Sequence, residues 1–307
     1  MSPLPSLRAR AAIPAAVTAL MLAPLTVAAQ PAGPRPVIDH APRRVHLQGS
    51  ATISGHLENG APGDEVALQR RPPFETWRTV RVKSVNARSK VSFRVRRLRT
   101  TAAYRFEWAD AATGTARRSD TVRVRVIPRL SLRVVPNDVF AGRRVRLVGG
   151  LYPKAEGERR VRLERRVRGH WSPIARPSLS SGHFKAGWRP RRVGRVVLRA
   201  TFAGDARNTA RRAVRAVRVY KRDLATWYGP GFYGNRTACG RRLRTETLGV
   251  AHRTLPCGTD VNILYRGRTI TVPVIDRGPY SSANWDLTQE TAERLRFSGR
   301  DTIGVTR

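Results

Sequence analysis

One stretch of the 307-residue chain ends in a side chain placed to move a proton. Thr269-Ile270-Thr271-Val272-Pro273-Val274-Ile275-Asp276 is rich in β-branched residues and stops on a carboxylate, with Arg277-Gly278-Pro279 following as a turn. A strand predicted over 269–276 therefore carries Asp276 at its mouth, where a carboxyl group can serve as acid or base. Upstream, residues 225–259 are rich in glycine and read mostly as turns. They hold Tyr228, Phe232 and Tyr233 on an entry segment, and His252 between the chain's two cysteines, Cys239 and Cys257.

These residues fall in a recognisable order. Trp227-Tyr228-Gly229, Thr237-Ala238, Ala251-His252-x-Thr254-Leu255-Pro256, Gly258-Thr259 and Asp276-Arg277-Gly278-Pro279, with Asp286-Leu287 beyond, resemble the rare lipoprotein A (RlpA) family. The resemblance runs from about Ala225 to Val305. It implies a six-stranded double-psi β-barrel over 224–307, related to the barrels of expansins and some lytic transglycosylases. It also implies a lyase activity, in which peptidoglycan glycan strands are cut as the muramic C6 hydroxyl attacks intramolecularly to leave an anhydro sugar. Because the nucleophile belongs to the substrate, one acid/base group can suffice, and Asp276 is the matching position.

The same resemblance puts His252 in the catalytic cleft, bonded to Asp276 or to the sugar. Its setting in Val250-Ala251-His252 equally suits a structural histidine that ties a strand to a loop. Tyr228, Phe232 and Tyr233 either stack on a sugar face or seal the end of the barrel. Asp286, just before Leu287-Thr288, reads as the N-cap of a helix predicted over 289–295.

The chain departs from the family at one place. Where the family has a Glu and an Asp that contribute to activity, this sequence has Arg241 and Arg244, with the spacing to His252 unchanged. Two cations in place of two acids make a neighbouring Asp276 a poorer proton donor and draw anionic ligands to the groove, so Arg241 and Arg244 are read as ligand-binding. Two readings follow: a lytic transglycosylase that relies on Asp276, or a module that binds glycan and has lost most catalysis.

The elements before the barrel read as delivery and spacing. Arg8 and Arg10 precede an apolar run over 11–27 that ends in Val27-Ala28-Ala29, the order of a secretory signal cleaved after Ala29. Pro14 and Pro24 interrupt that run and it is short for a bilayer span, so no membrane segment is expected after cleavage. No cysteine precedes Cys239, so a lipoprotein cleavage site is absent from the leader. Export makes a Cys239–Cys257 disulfide the natural pairing, contributing about 3 kcal/mol in the chain-entropy model. With His252 alone between them, the cysteines lack the paired short spacing of a zinc site, and no metal or cofactor is expected.

From 37 to about 219 short alternating segments such as Val122-Arg123-Val124-Arg125-Val126 are separated by Gly, Pro, Asn and Asp, the pattern of half-buried antiparallel strands. The pattern also repeats at roughly 94 residues. Val66-Ala67-Leu68-Gln69-Arg70-Arg71 with Trp77 recurs as Val161-Arg162-Leu163-Glu164-Arg165-Arg166 with Trp171, and Tyr104 to Trp108 recurs as Leu198 to Phe202. Two units over 37–127 and 130–220, joined at Pro128 and closed by Lys221-Arg222-Asp223, resemble bacterial Ig-like β-sandwiches. The predicted fold is all-β, two such sandwiches and then the barrel. Trp77 and Trp171, recurring at equivalent positions, are read as core or strand-packing aromatics.

Charge is unevenly spread. The chain has 59 Lys and Arg against 21 Asp and Glu, net +38; after Asp223 there are 12 basic and 7 acidic residues, net +5, so the part through Asp223 carries +33. A field of that size gathers polyanions and depends strongly on salt. Outside the membrane these are anionic wall polymers, acidic polysaccharides, lipid headgroups and DNA. Nucleic acid is set aside: the basic residues alternate along strands as an outward face, and no zinc, helix-turn-helix or aromatic-basic RNA motif accompanies them. The expected setting is extracytoplasmic, at the cell wall, with peptidoglycan glycan as the barrel's partner and anionic wall polymers as the partner of the repeats.

Overall fold

The computed structural model describes residues 33–154 and 158–307. The leader read over 1–29 lies outside the described residues. No helix among the described residues is long and apolar enough to cross a membrane.

Strands form where the sequence alternates. The first sandwich comprises β1 (Arg35–His40), β2 (Arg44–His46), β3 (Ala51–Glu58), β4 (Glu65–Arg71), β5 (Arg78–Ser84), β6 (Lys90–Val95), β7 (Ala102–Ala109), β8 (Ala116–Arg118) and β9 (Val122–Ile127). One sheet runs β1-β3-β6; the other runs β2-β9-β7-β4-β5, with β8 on β7 and β2 parallel to β9. Period-two alternation turns Val124 and Val126 inward and Arg123 and Arg125 out to water. Between the sheets lie Ile53, Leu68, Phe93, Tyr104 and Phe106, with the rings of Phe93 and Phe106 centred 5.4 Å apart.

The second sandwich repeats this wiring, except that β8 has no counterpart. It uses β10 (Arg129–Val135), β11 (Asp138–Phe140), β12 (Val145–Tyr152), β13 (Arg162–Val167), β14 (His170–Ala175), β15 (His183–Trp188), β16 (Gly194–Phe202) and the first half of β17 (Arg211–Tyr228). Its sheets run β10-β12-β15 and β14-β13-β16-β17, with β11 parallel to β17 as β2 is to β9. Side chains repeat too. Arg105 bonds Gln69 at 2.8 Å and lies 4.2 Å from the Trp77 ring; Arg199 bonds Glu164 at 2.6 Å and lies 4.1 Å from the Trp171 ring. The two tryptophans are thus half-buried aromatics on a sheet face beneath guanidinium groups, outside both hydrophobic cores. Backbone bonds from Thr101 to Arg207 and from Thr209 to Val126, with Asn208 on the Arg99 carbonyl, hold the sandwiches end to end.

β17 does not stop at the end of the second sandwich. Its last residues pair in parallel with β21 (Trp285–Thr288) and antiparallel with β22 (Asp301–Thr306), and the ring closes through β18 (Val250–Ala251), β20 (Arg268–Asp276) and β19 (Asp260–Tyr265). Six strands close a barrel around Ala225, Val250, Ile263, Val274, Leu287 and Ile303. Lys221-Arg222-Asp223, read from the sequence as a junction, lies inside one 18-residue strand shared by both bodies. The single helix among the described residues, α1 (Gln289–Leu295), spans the predicted residues. Its cap is Thr288, whose side chain accepts from the Thr291 N–H; Asp286 sits two residues earlier on β21 and caps nothing.

Candidate active site

β18 runs between β20 and β21, and its residue Ala251 is paired with Asp276 on one side and Asp286 on the other. The β18–β20 register shifts between Val250 and Ala251, and the charge of Asp276 acts on both Asp286 and Tyr228, so the two carboxyls stand close together on either side of Ala251. Asp276 accepts the backbone N–H groups of Ala238 and Arg277, each at 2.8 Å. Asp286 accepts the Thr226 hydroxyl at 2.8 Å across the β17–β21 pair. Burial pushes the Asp286 carboxyl up from its ordinary range; the Thr226 bond pulls it down and the charge of Asp276 adds to the rise. Asp286 is thereby set up to hold a proton.

Tyr228 belongs to this group. Its hydroxyl is buried beside Asp276 and titrates far above the usual tyrosine range through burial, then the charges of Asp276 and Asp286 and the contact with the Asp276 side chain. A neutral phenol beside two carboxyls can donate to either or to a ligand oxygen. Phe232, more than half exposed, meets Tyr228 edge to face at 6.1 Å and offers a free ring to a ligand. Tyr233 is instead hydrogen-bonded through its hydroxyl to Gln289 at the start of α1, the sealing arrangement. Tyr280, 88% exposed directly after Arg277-Gly278-Pro279, is a second free ring that the sequence reading passed over.

The contacts of His252 are those that tie a strand to a loop: its bond with Asp276 runs from its own backbone N–H to the Asp276 carbonyl. Nδ1 accepts from the N–H groups of Thr254 and Leu255 at 3.2 and 3.1 Å, which assigns the ring proton to Nε2. The ring packs 4.4 Å from Trp285. Burial lowers its pKa, against a raising pull from Asp223 and with Arg253, Arg277 and Arg307 lowering it further.

The loop that His252 holds is tied down twice more. Arg277 donates from Nη1 to the carbonyls of His252 and Leu255 at 3.2 and 2.9 Å, and Cys257 is bonded to Cys239. The disulfide anchors Ala238, the residue before Cys239, whose N–H faces Asp276. Arg241 and Arg244 are exposed, and neither pairs with Asp276: Arg244 lies 4.0 Å from Glu246, and Arg241 is engaged through its backbone with Thr237. The expected direct pull of these cations on Asp276 is therefore not made by contact. Among the described residues no group of three His, Cys, Asp or Glu is placed to hold a metal.

Asp286 is the residue of this group that sequence reasoning misassigned, as a helix cap. Asp286 resembled a cap because it precedes a helix by a few residues. The signal that it is on a strand was the alternation of Trp285 and Leu287, both buried, around it.

A six-stranded closed barrel with two parallel strand pairs and carboxyls on its wall is a double-psi β-barrel, and the C-terminal domain is RlpA-like. Residues 221–306 match the family described as a lytic transglycolase. Over 95 residues the chain is 44% identical to the protein named "Probable endolytic peptidoglycan transglycosylase RlpA" of Synechocystis sp., covering 30% of this chain and 29% of that one. Over 85 residues it is 44% identical to "Endolytic peptidoglycan transglycosylase RlpA" of Campylobacter jejuni, covering 27% and 31%. Over 79 residues it is 43% identical to the Aquifex aeolicus protein of the first name, covering 25% and 35%. The chain thus spans about a third of the length of these relatives, in its C-terminal region.

Proposed function

We propose that the barrel binds a peptidoglycan glycan strand across the Asp276–Ala251–Asp286 face and cleaves it as a lytic transglycosylase. The observation that supports this most directly is the pair of carboxyls held by different means on either side of Ala251, one buried beside Thr226 and one fed by two backbone N–H groups. Asp286, favoured in its neutral form, gives its proton to the glycosidic oxygen as the bond from C1 breaks. The muramic C6 oxygen closes onto C1 and passes its proton to Asp276, which keeps the acid/base role given it by position. Exchange with water resets the pair. Tyr228 holds the scissile oxygen, Phe232 stacks on a sugar ring, and His252 positions the loop that carries the disulfide.

The chain around the barrel completes this reading. Residues 1–29 are a cleaved leader, 37–127 and 130–220 are Ig-like spacers that hold most of the +33 carried through Asp223 and engage anionic wall polymers with it, and the mature protein works outside the membrane at the wall. Incubating the purified chain with peptidoglycan, intact and stripped of stem peptides, and weighing the soluble products tests the enzyme. Anhydro-muropeptides that disappear in both Asp276→Asn and Asp286→Asn are the expected result.

A second reading, a glycan-binding module without turnover, is favoured by Arg241 and Arg244 standing where the family has acids. Sedimentation with the wall and no soluble product would support it.

A further inference from the structure

We propose that two arginine loops at the barrel end of the second sandwich form a binding site for a base-free phosphodiester polymer, of the alditol- or sugar-phosphate kind. This rests on the reading that the sandwiches engage anionic wall polymers, and it gives that reading a place. The loops join β11 to β12 (residues 141–144) and β15 to β16 (residues 189–193). The Gly142 N–H donates to the Pro190 carbonyl at 2.7 Å and clamps one loop to the other, with Gly142 at φ +80°. Arg143, Arg144, Arg189 and Arg191, with Gly142, line an open groove of about 500 Å³.

Three observations bear on this groove. First, all four arginines are exposed and none has an ion pair or a side-chain hydrogen bond to a described residue; other exposed arginines of the sandwich, such as Arg133 and Arg146, share that state, but here four of them line one groove. Second, Arg144 is laid across a glycine: a Cβ on Gly187 would fall 2.5 Å from its Nε, so the guanidinium lies where only a missing side chain leaves room. Third, the first sandwich is an internal control. Its loop of the same length, Leu47-Gln48-Gly49-Ser50, makes the same clamp, from the Gln48 N–H to the Leu98 carbonyl at 2.7 Å, with no arginine on that loop. The clamp therefore does not require Arg143 and Arg144.

Four like charges in one groove repel each other, and no carboxylate lines the groove to offset them. A guanidinium donates two parallel N–H groups to phosphate oxygens, so the groove suits a run of phosphodiesters. It contains no aromatic ring on which a nucleobase could stack, which points away from nucleic acid. Val193, two residues beyond Arg191, lines a crevice together with Lys221, His252 and Trp285 of the barrel. A polymer held by the arginines therefore lies beside the barrel end of the molecule.

The test uses the full chain and a synthetic poly(glycerol phosphate), titrated at several salt concentrations. One variant carries Arg143→Gln, Arg144→Gln, Arg189→Gln and Arg191→Gln. A control loses the same charge from exposed positions of the first sandwich: Arg81→Gln, Arg88→Gln, Arg123→Gln and Arg125→Gln. The groove variant is expected to bind at least about tenfold more weakly with a shallower salt dependence, and the control to change affinity less than about threefold. Single-stranded DNA of equal charge should bind the wild type more weakly than the alditol polymer does. Equal losses in groove variant and control would overturn the site in favour of a diffuse field, and DNA binding as tight as the polymer would overturn the ligand class. A wild type that ignores poly(glycerol phosphate) at low salt overturns both the site and the wall-polymer reading. Sedimentation of all variants with polymer-free glycan, which reports the barrel alone, should not change. All substituted arginines are exposed, and matching thermal unfolding of the variants confirms that folding is intact.

Discussion

At the scale of single residues, Asp286 sets function against stability. Its carboxyl titrates above its ordinary range because burial disfavours the charge, so it carries a folded-state value higher than the unfolded one. The sign follows: the protein is most stable with respect to this group below the ordinary carboxylate range and loses that contribution as pH rises through the raised value. Asp286→Asn, which removes the charge and keeps the shape, is therefore expected to abolish anhydro product while raising the midpoint of thermal unfolding at neutral pH by about 2–4 °C. The gain should shrink in acid, and calorimetry at neutral pH and again in acid checks it. Lytic activity of the wild type should likewise fall on the alkaline side as Asp286 ionises. Arg241 and Arg244 give a separate test. Arg241→Glu with Arg244→Asp restores the family's acids and is expected to raise product yield severalfold; a folded double variant no more active than wild type would mean that the two arginines do not limit turnover.

At the scale of elements, the loop of residues 252–257 is held by the His252 ring, by Arg277 and by the disulfide, and through Cys239 it fixes the N–H that faces Asp276. Changing both cysteines to serine should cost about 3 kcal/mol in the chain-entropy model and lower product formation along with the thermal midpoint. An equal loss of stability with unchanged turnover would show that the tether serves folding alone. The sequence made the strands legible because Val and Arg alternate at period two, and it made the repeat legible because Val66–Arg71 and Val161–Arg166 share that pattern. The barrel and the closing carboxylate of β20 were legible from motif order. The contacts of His252 were not, because they depend on how β18 registers against β20, where the pairing shifts at Ala251, and register is a long-range property. Asp286 was misjudged for a related reason: a four-residue strand running straight into a helix presents the same local signals as a cap.

At the scale of the whole molecule, charge and architecture are divided between the parts. The part through Asp223 carries +33 of the net +38 and the barrel only +5, so salt should weaken wall association more than it weakens turnover on soluble glycan. What joins the parts is β17, and its residues keep one phase from end to end: Val217 and Val219 point into the second sandwich, and Ala225, an even number of positions further on, points into the barrel. Most multi-domain chains drift in length at their linkers, where an added residue changes only reach. Here an added residue changes parity. One residue inserted after Tyr220 would turn either the valines or Ala225 out to water and is expected to unfold one of the two bodies, whereas two residues would restore the phase and disturb mainly the seam where Gly304 meets Tyr220. Thermal unfolding of the two insertion variants distinguishes these outcomes. The spacing between the second sandwich and the barrel is thus a quantity that can change only in steps of two residues.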